Sequence, residues 1–192
     1  MENTLVDLMS NFIDLTPEEK EGILEAFPIK TFKKETALLQ EGEVAKDAFV
    51  VIKGCIREYS LQNGEEVTSE FYTELQSAVN FESMAHKKPS KYYFSCTEDT
   101  TVAIMNSEKE NALYKKFPRF GDVCRVEMEK IMGGNQEAFS IFKNASPKER
   151  YLNLLENRPD LIQRVPQYQL ASYLGIKPET LSRIRKRISM ND

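Results

Sequence analysis

The stretch Arg164–Arg187, RVPQYQLASYLGIKPETLSRIRKR, constrains this chain more than any other. Its spacing predicts two short helices joined by a tight turn. Pro166 is placed to open the first helix, where its missing N–H costs nothing. Leu170, Ala171 and Leu174 supply an apolar face at helical spacing. Gly175 suits a helix end that turns through a left-handed conformation, and Ile176 plugs the turn. Pro178 and Glu179 start a second helix with Leu181, Ile184 and Ile188 on one face. Thr180, Ser182, Arg183, Lys186 and Arg187 lie opposite. A helix that is apolar inside and basic outside fits entry into a DNA major groove. The competing reading is an ordinary helical hairpin with a solvated charged face.

Charge favours the first reading. Val165–Ile188 holds five basic residues (Lys177, Arg183, Arg185, Lys186, Arg187) and one acid, Glu179, in a chain of net charge −4. A basic island at one end of an acidic protein is an electrostatic footprint for phosphate.

Upstream, the periodicity divides the chain. Leu5–Ile13 reads as a short amphipathic helix. Thr16-Pro17-Glu18-Glu19 is a capping-box start for a helix running to about Ala26. Alternation then replaces helical spacing. Ile29–Phe32, Ala37–Leu39, Ala48–Ile52, Cys55–Leu61, Glu66–Tyr72, Tyr92–Cys96 and Thr101–Met105 are strand candidates. Turn signals at Glu41-Gly42-Glu43, Lys53-Gly54 and Asn63-Gly64 separate several of them, and Asn-Gly favours a tight hairpin. Many short strands at this spacing imply a β-sandwich or roll. Leu75–Ser90 reads as a long irregular loop of the kind that often carries function. Helical spacing returns with Ser107–Lys116 and then a long helix from about Arg119 to Lys143, with Gly133-Gly134 expected to interrupt and bend it. That helix needs a partner for its apolar residues, either its own roll or the same helix of a second subunit. Ser146-Pro147-Lys148-Glu149 opens one more helix, which ends near Asn157-Arg158-Pro159, before a linker.

At 192 residues, 41% hydrophobic and 29% charged, the chain has the composition of a globular protein, and no apolar run reaches membrane-spanning length. MENTLVDLMSNF lacks the basic-then-apolar order of a secretory signal. Three widely spaced cysteines, Cys55, Cys96 and Cys124, fit a reducing compartment, so a cytoplasmic location is expected. Metal-dependent enzymes on β-rolls hold the metal with several histidines, and this chain has one, His86, read as a surface residue. No serine–histidine or cysteine–histidine arrangement and no glycine-rich phosphate loop is identifiable. The expectation is a non-enzyme with no catalytic and no metal site.

The order helix, β-roll, long helix, helix–turn–helix resembles the Crp/Fnr family of bacterial transcription regulators. The most specific part is ASYLGIKPETLSRIRK, and the glycines at Glu41-Gly42-Glu43, Lys53-Gly54 and Asn63-Gly64 fall where the family's roll turns. SPKERYLNLLENRPDLIQRVPQYQLASYLGI is similar to the branch common in Bacteroidetes. The resemblance implies an α+β chain: a cyclic-nucleotide-binding-like β-roll (a double-stranded β-helix or jelly roll) over 1–117, a dimerisation helix over 118–144 and a helix–turn–helix domain over 145–192. It implies a homodimer on an inverted-repeat operator in double-stranded DNA, with RNA polymerase as a further partner and no membrane. By that correspondence Glu179 and Arg183 contact base edges, where Glu accepts from cytosine N4 and Arg pairs bidentately with guanine. Thr180, Ser182, Lys186, Arg187 and Lys177 are assigned to phosphate. Pro178 stands where some members carry a base-reading Arg, so their operators do not transfer.

In nucleotide-binding members of the family, a Gly-Glu pair on a short helix and a following Arg-Ser or Arg-Thr pair hold the ribose and the cyclic phosphate. The matching positions here are Phe81-Glu82 and Ser90-Lys91. A lysine supplies a point charge without the planar fork of arginine. Glu82, Ser90, Lys91, Phe71 and Tyr92 are the candidate effector pocket. The expectation is a degenerate or altered pocket with no cofactor and an effector of unknown identity. The alternative is a regulator that responds to cyclic AMP. A sensor module whose output is a protein partner is a further alternative, but it needs no helix–turn–helix.

Overall fold

The computed structural model describes residues 4–10 and 13–190. In chain order, α1 (Thr4–Ser10) and α2 (Pro17–Ala26) precede the strands β1 (Ile29–Phe32), β2 (Ala37–Leu39), β3 (Asp47–Lys53), β4 (Ile56–Gln62), β5 (Glu65–Tyr72) and β6 (Ser77–Ala78). Then come α3 (Phe81–His86), β7 (Tyr93–Cys96) and β8 (Thr100–Asn106). The rest is helical: α4 (Ser107–Lys116), α5 (Arg119–Asn144), α6 (Pro147–Asn157), α7 (Pro159–Arg164), α8 (Gln167–Tyr173) and α9 (Pro178–Ser189). The expected first helix is observed up to Ser10, and its residues 11 and 12 lie outside the described residues.

Two compact units emerge, one of Met1–Ser60 with Glu70–Met128, the other of Leu61–Ser69 with Glu129–Asp192. The first holds most of the roll, two four-stranded sheets in the orders β1-β8-β3-β6 and β2-β7-β4-β5. Alternation along the strands decides what each face covers. Phe49 and Val51 of β3, Ile56 of β4, Phe94 of β7 and Val102 of β8 meet between the sheets, with Leu39, Ala45 and Ala78. Val50 and Ala103 point the other way and are covered by Leu5, Val6, Ile23, Ala26 and Phe27 of the N-terminal segment, Leu113 of α4 and Phe120 of α5.

Local signals set several of these elements. The Thr16 backbone N–H donates to Glu19 (2.9 Å) and the Glu19 N–H to Thr16 Oγ1 (3.3 Å), completing the capping box of α2. Ser146 and Glu149 repeat it at α6. Asn63 and Gly64 both adopt positive φ, 53° and 83°, the type I′ geometry that matches strand twist. Gly54 has φ 110°, and a Cβ there would lie 2.7 Å from the Thr100 backbone; no side chain fits.

Three expectations are corrected. Leu75–Ser90 is not irregular throughout: β6 forms by pairing with Phe49 and Val50 of β3, and α3 forms because Asn80 caps it, accepting from the Ser83 N–H at 3.0 Å. The linker after α6 contains α7, with Pro159 in its first turn. Gly133-Gly134 does not interrupt α5, which continues as one α-helix. Strong helix formers on both sides outweigh glycines that cost about 1 kcal/mol each.

Candidate nucleic-acid interface and effector pocket

The second unit builds its helical bundle on buried Tyr151, Leu154, Leu161, Val165, Leu170, Ala171, Leu174 and Leu181. Pro166 is the residue before α8 rather than its first helical residue, and its carbonyl accepts from the Gln169 and Leu170 N–H groups at 3.0 and 3.1 Å. At the other end Gly175 turns at φ 67°, and the Ile176 N–H donates back to the Ala171 carbonyl at 3.0 Å. This is the left-handed helix stop expected of that glycine.

Helix α9 then presents the predicted residues on its outer side. Leu181 is fully buried while Ile184 and Ile188 are half-buried. Lys177, Glu179, Ser182, Arg183, Lys186 and Arg187 are exposed, and Thr180 is half-buried. Arg183 Nη2 donates to Thr180 Oγ1 at 3.2 Å, which lays the guanidinium along the helix. An open groove of about 500 Å³ runs beside Glu179 and Ser182 and is bounded by Pro178, Gln167 and Tyr168. Sequence reasoning missed Gln167 and Tyr168. The signal was available: Tyr168 is a large aromatic off the apolar face of α8, and it is 58% exposed.

The effector-pocket residues separate. Ser90 is buried, and its hydroxyl accepts from Asn80 Nδ2 (2.8 Å) and the Tyr92 N–H (2.9 Å) while donating to the Tyr92 carbonyl (2.8 Å). A hydroxyl has one donor and two acceptor sites, so Ser90 is fully engaged. Ser83 is also bonded, donating to the Lys88 carbonyl at 2.6 Å and accepting from the Ala45 N–H at 2.9 Å. Glu82 and Lys91 are exposed. Phe71 is fully buried, but alternation turns it to the opposite face of β5 from Tyr72, which packs against the inner cluster. The network residues Asn80 and Ser83 were not foreseen, since their partners lie elsewhere in the roll.

One further group stands inside the roll. Glu58 pairs with Phe94 across the β4–β7 ladder, which puts it on the inner face. The Tyr72 hydroxyl donates to Glu58 Oε2 at 2.8 Å. Burial, with the nearby Glu70 carboxylate, pushes the Glu58 carboxyl above its ordinary value, against the lowering effect of the Tyr72 bond. Among the described residues no group of His, Cys, Asp and Glu could hold a metal ion, and no helix is long and apolar enough to cross a membrane.

Residues 29–117 match the family described as cyclic nucleotide-binding domain. No curated protein matches the chain significantly. Among solved structures, the c-di-GMP responsive global regulator CLP of Xanthomonas campestris is similar with TM-score 0.69 and 16% identity, over 92% of this chain and 93% of that one. A CooA mutant from Carboxydothermus hydrogenoformans has TM-score 0.69 and 16% identity over 99% and 86%. FixK2 from Bradyrhizobium japonicum has TM-score 0.68 and 14% identity over 86% and 85%. Identities this low speak to the fold alone. The roll is thus similar to the cyclic nucleotide-binding domain over residues 29–117, and the chain shares its fold with these three solved proteins.

Proposed function

We propose that this protein is a transcription regulator that binds DNA sequence-specifically as a homodimer on an inverted-repeat operator, and that it is not an enzyme. The observation that carries this reading is α9, which buries Leu181 and leaves Glu179, Ser182, Arg183, Lys186 and Arg187 exposed beside an open groove. Glu179 and Arg183 read base edges; Thr180, Ser182, Lys186, Arg187 and Lys177 hold phosphates. The second subunit joins along α5. Met128, Met132, Asn135, Phe139 and Phe142 recur at four-three spacing on one helix face, with Met132 and Phe139 exposed at 67% and 69%. Such a stripe fits a two-helix seam, where a lone Asn sets register. RNA polymerase is the protein partner this role implies.

The roll of this regulator does not take a cyclic nucleotide. The hydroxyl at the phosphate position, Ser90, has no hydrogen-bonding capacity left. Glu58 adds a carboxyl inside the roll, which disfavours an anionic ligand. The family match over 29–117 supports the second reading, a cyclic-AMP-responsive regulator. Selection of binding sites from a random DNA pool by the purified protein, with and without cyclic AMP, tests both. The first reading expects one inverted repeat enriched in both arms. Enrichment only with cyclic AMP favours the second, and no enriched motif refutes DNA reading.

A further inference from the structure

Arg150, in the first turn of α6, reaches three structures at once. Its Nε donates to the Ala145 carbonyl at 3.2 Å, just past the end of α5. Its Nη1 donates to the Leu174 carbonyl at 3.1 Å, at the turn between α8 and α9. Its guanidinium lies 4.0 Å from the centroid of the Phe142 ring, in the last turn of α5. Gly175 shapes the same place, because a Cβ there would lie 3.3 Å from Arg150 Nη1 and 3.6 Å from Phe142. The helical bundle has its own apolar core, from Tyr151 to Leu181, and Arg150 is not part of it. What Arg150 joins is the bundle's turn to the end of the long helix.

We propose that Arg150 is a positioning residue that fixes the angle between α5 and the α8–α9 pair, and thereby sets the half-site spacing that the dimer accepts. The proposal rests on the dimeric reading above. Two recognition helices read two half-sites only at matched separation, and that separation follows from how each pair is held at the end of its α5. Phe142 belongs to the proposed seam stripe, so its ring carries subunit pairing to Arg150, and the Leu174 carbonyl carries it on to the turn that aims α9. Arginine suits this role because one planar group makes directed hydrogen bonds on its edge and stacks with its face.

Two measurements on the full chain test this. Spin labels placed by Gln136→Cys and Arg185→Cys in a Cys124→Ser background, diluted with unlabelled protein, report the separation of α5 and α9 within one protomer without DNA. The wild-type background should give one narrow distance distribution, and Arg150→Met should broaden it. Binding is then measured on operators with identical half-sites whose centres are moved apart or together by one to three base pairs. Wild type should lose at least about tenfold in affinity on moving off the best spacing, as expected when one recognition helix leaves its half-site. Arg150→Met should flatten that profile to within about threefold, with affinity for a single half-site unchanged. A narrow distribution in Arg150→Met, or a spacing profile that keeps the wild-type shape, overturns the proposal. So does uniform weakening on all sites together with a lowered melting temperature, which marks a merely structural role. A wild-type protein with no spacing preference refutes the dimeric operator instead, and the label distances still decide whether Arg150 fixes the helix angle.

Discussion

The α8–α9 hairpin and the segment from Leu75 to Tyr92 are similar in length and differ in what determines them. The hairpin is set by residues close together in sequence: Gly175 at positive φ, Pro178 in the first turn of α9, and Leu170, Ala171 and Leu181 all buried. The roll segment is set by residues brought from elsewhere. β6 exists because β3 pairs with it, and Ser83 is held by Ala45, 38 residues away. A segment of the first kind keeps its meaning when read alone. In the second kind the partners decide what a residue does, and the Ser90 hydroxyl is bonded to Asn80 and Tyr92.

The comparison breaks most visibly at Leu181. Leu181→Ala should remove about 2–5 kcal/mol from the helical bundle, as expected of a fully buried leucine, and should abolish specific DNA binding. Denaturant unfolding followed by probes in each unit should show the bundle transition shifted and the roll transition in place. A shift of both transitions together would mean that the bundle does not stand on its own local contacts.

Ser90→Ala makes the opposite test. It leaves the Asn80 amide and the Tyr92 N–H without their acceptor in a half-buried setting, and should cost the roll about 1 kcal/mol or more. A variant as stable as wild type, by thermal melting, would show that the hydroxyl was free for a ligand. Arg183→Ala should leave stability unchanged and weaken the specific site by about 1–3 kcal/mol while relaxing discrimination at one base pair. Equal loss on specific and random DNA would make Arg183 a phosphate contact.

A finer contrast lies between the two capping boxes. Glu149 closes an exposed box at α6, whereas Glu19 closes its box and also pairs with the guanidinium of Arg119, which donates through Nε at 2.6 Å. The Arg119 bond, aided by Thr16 and opposed by burial, holds Glu19 down at about 2. A depressed carboxyl stabilises the fold above its unfolded value near 4.5 and loses that contribution as pH falls toward 2. Stability of the wild type should therefore decline over this interval, and Glu19→Gln should remove more of that decline than Glu149→Gln. Equal flattening by the two variants, in melting curves from pH 6 to pH 2, would show that the long-range pair adds nothing to the local cap.

Most of the architecture was legible because its signals are short-range. The capping residues Thr16 and Ser146, the Asn63-Gly64 turn and strand alternation each act within a few residues, and each stands where the sequence places it. What escaped was decided at long range. α3 and β6 depend on the packing of the roll, and α7 lay hidden behind Pro159, which reads equally as a linker. In the candidate sites, the outer face of α9 followed from helical period alone. Glu58 went unremarked because only register with Phe94 shows which way it faces.

The central claim is that the reading end is intact while the roll upstream does not answer to a cyclic nucleotide. Titrating the purified protein onto its selected operator and onto a scrambled duplex, each with and without saturating cyclic AMP, tests it in one experiment. The account expects the operator to bind at least about a thousandfold more tightly than the scrambled duplex, with the same Kd in both nucleotide arms. Equal affinity for the two duplexes, or an operator Kd that tightens tenfold or more when cyclic AMP is added, would contradict it.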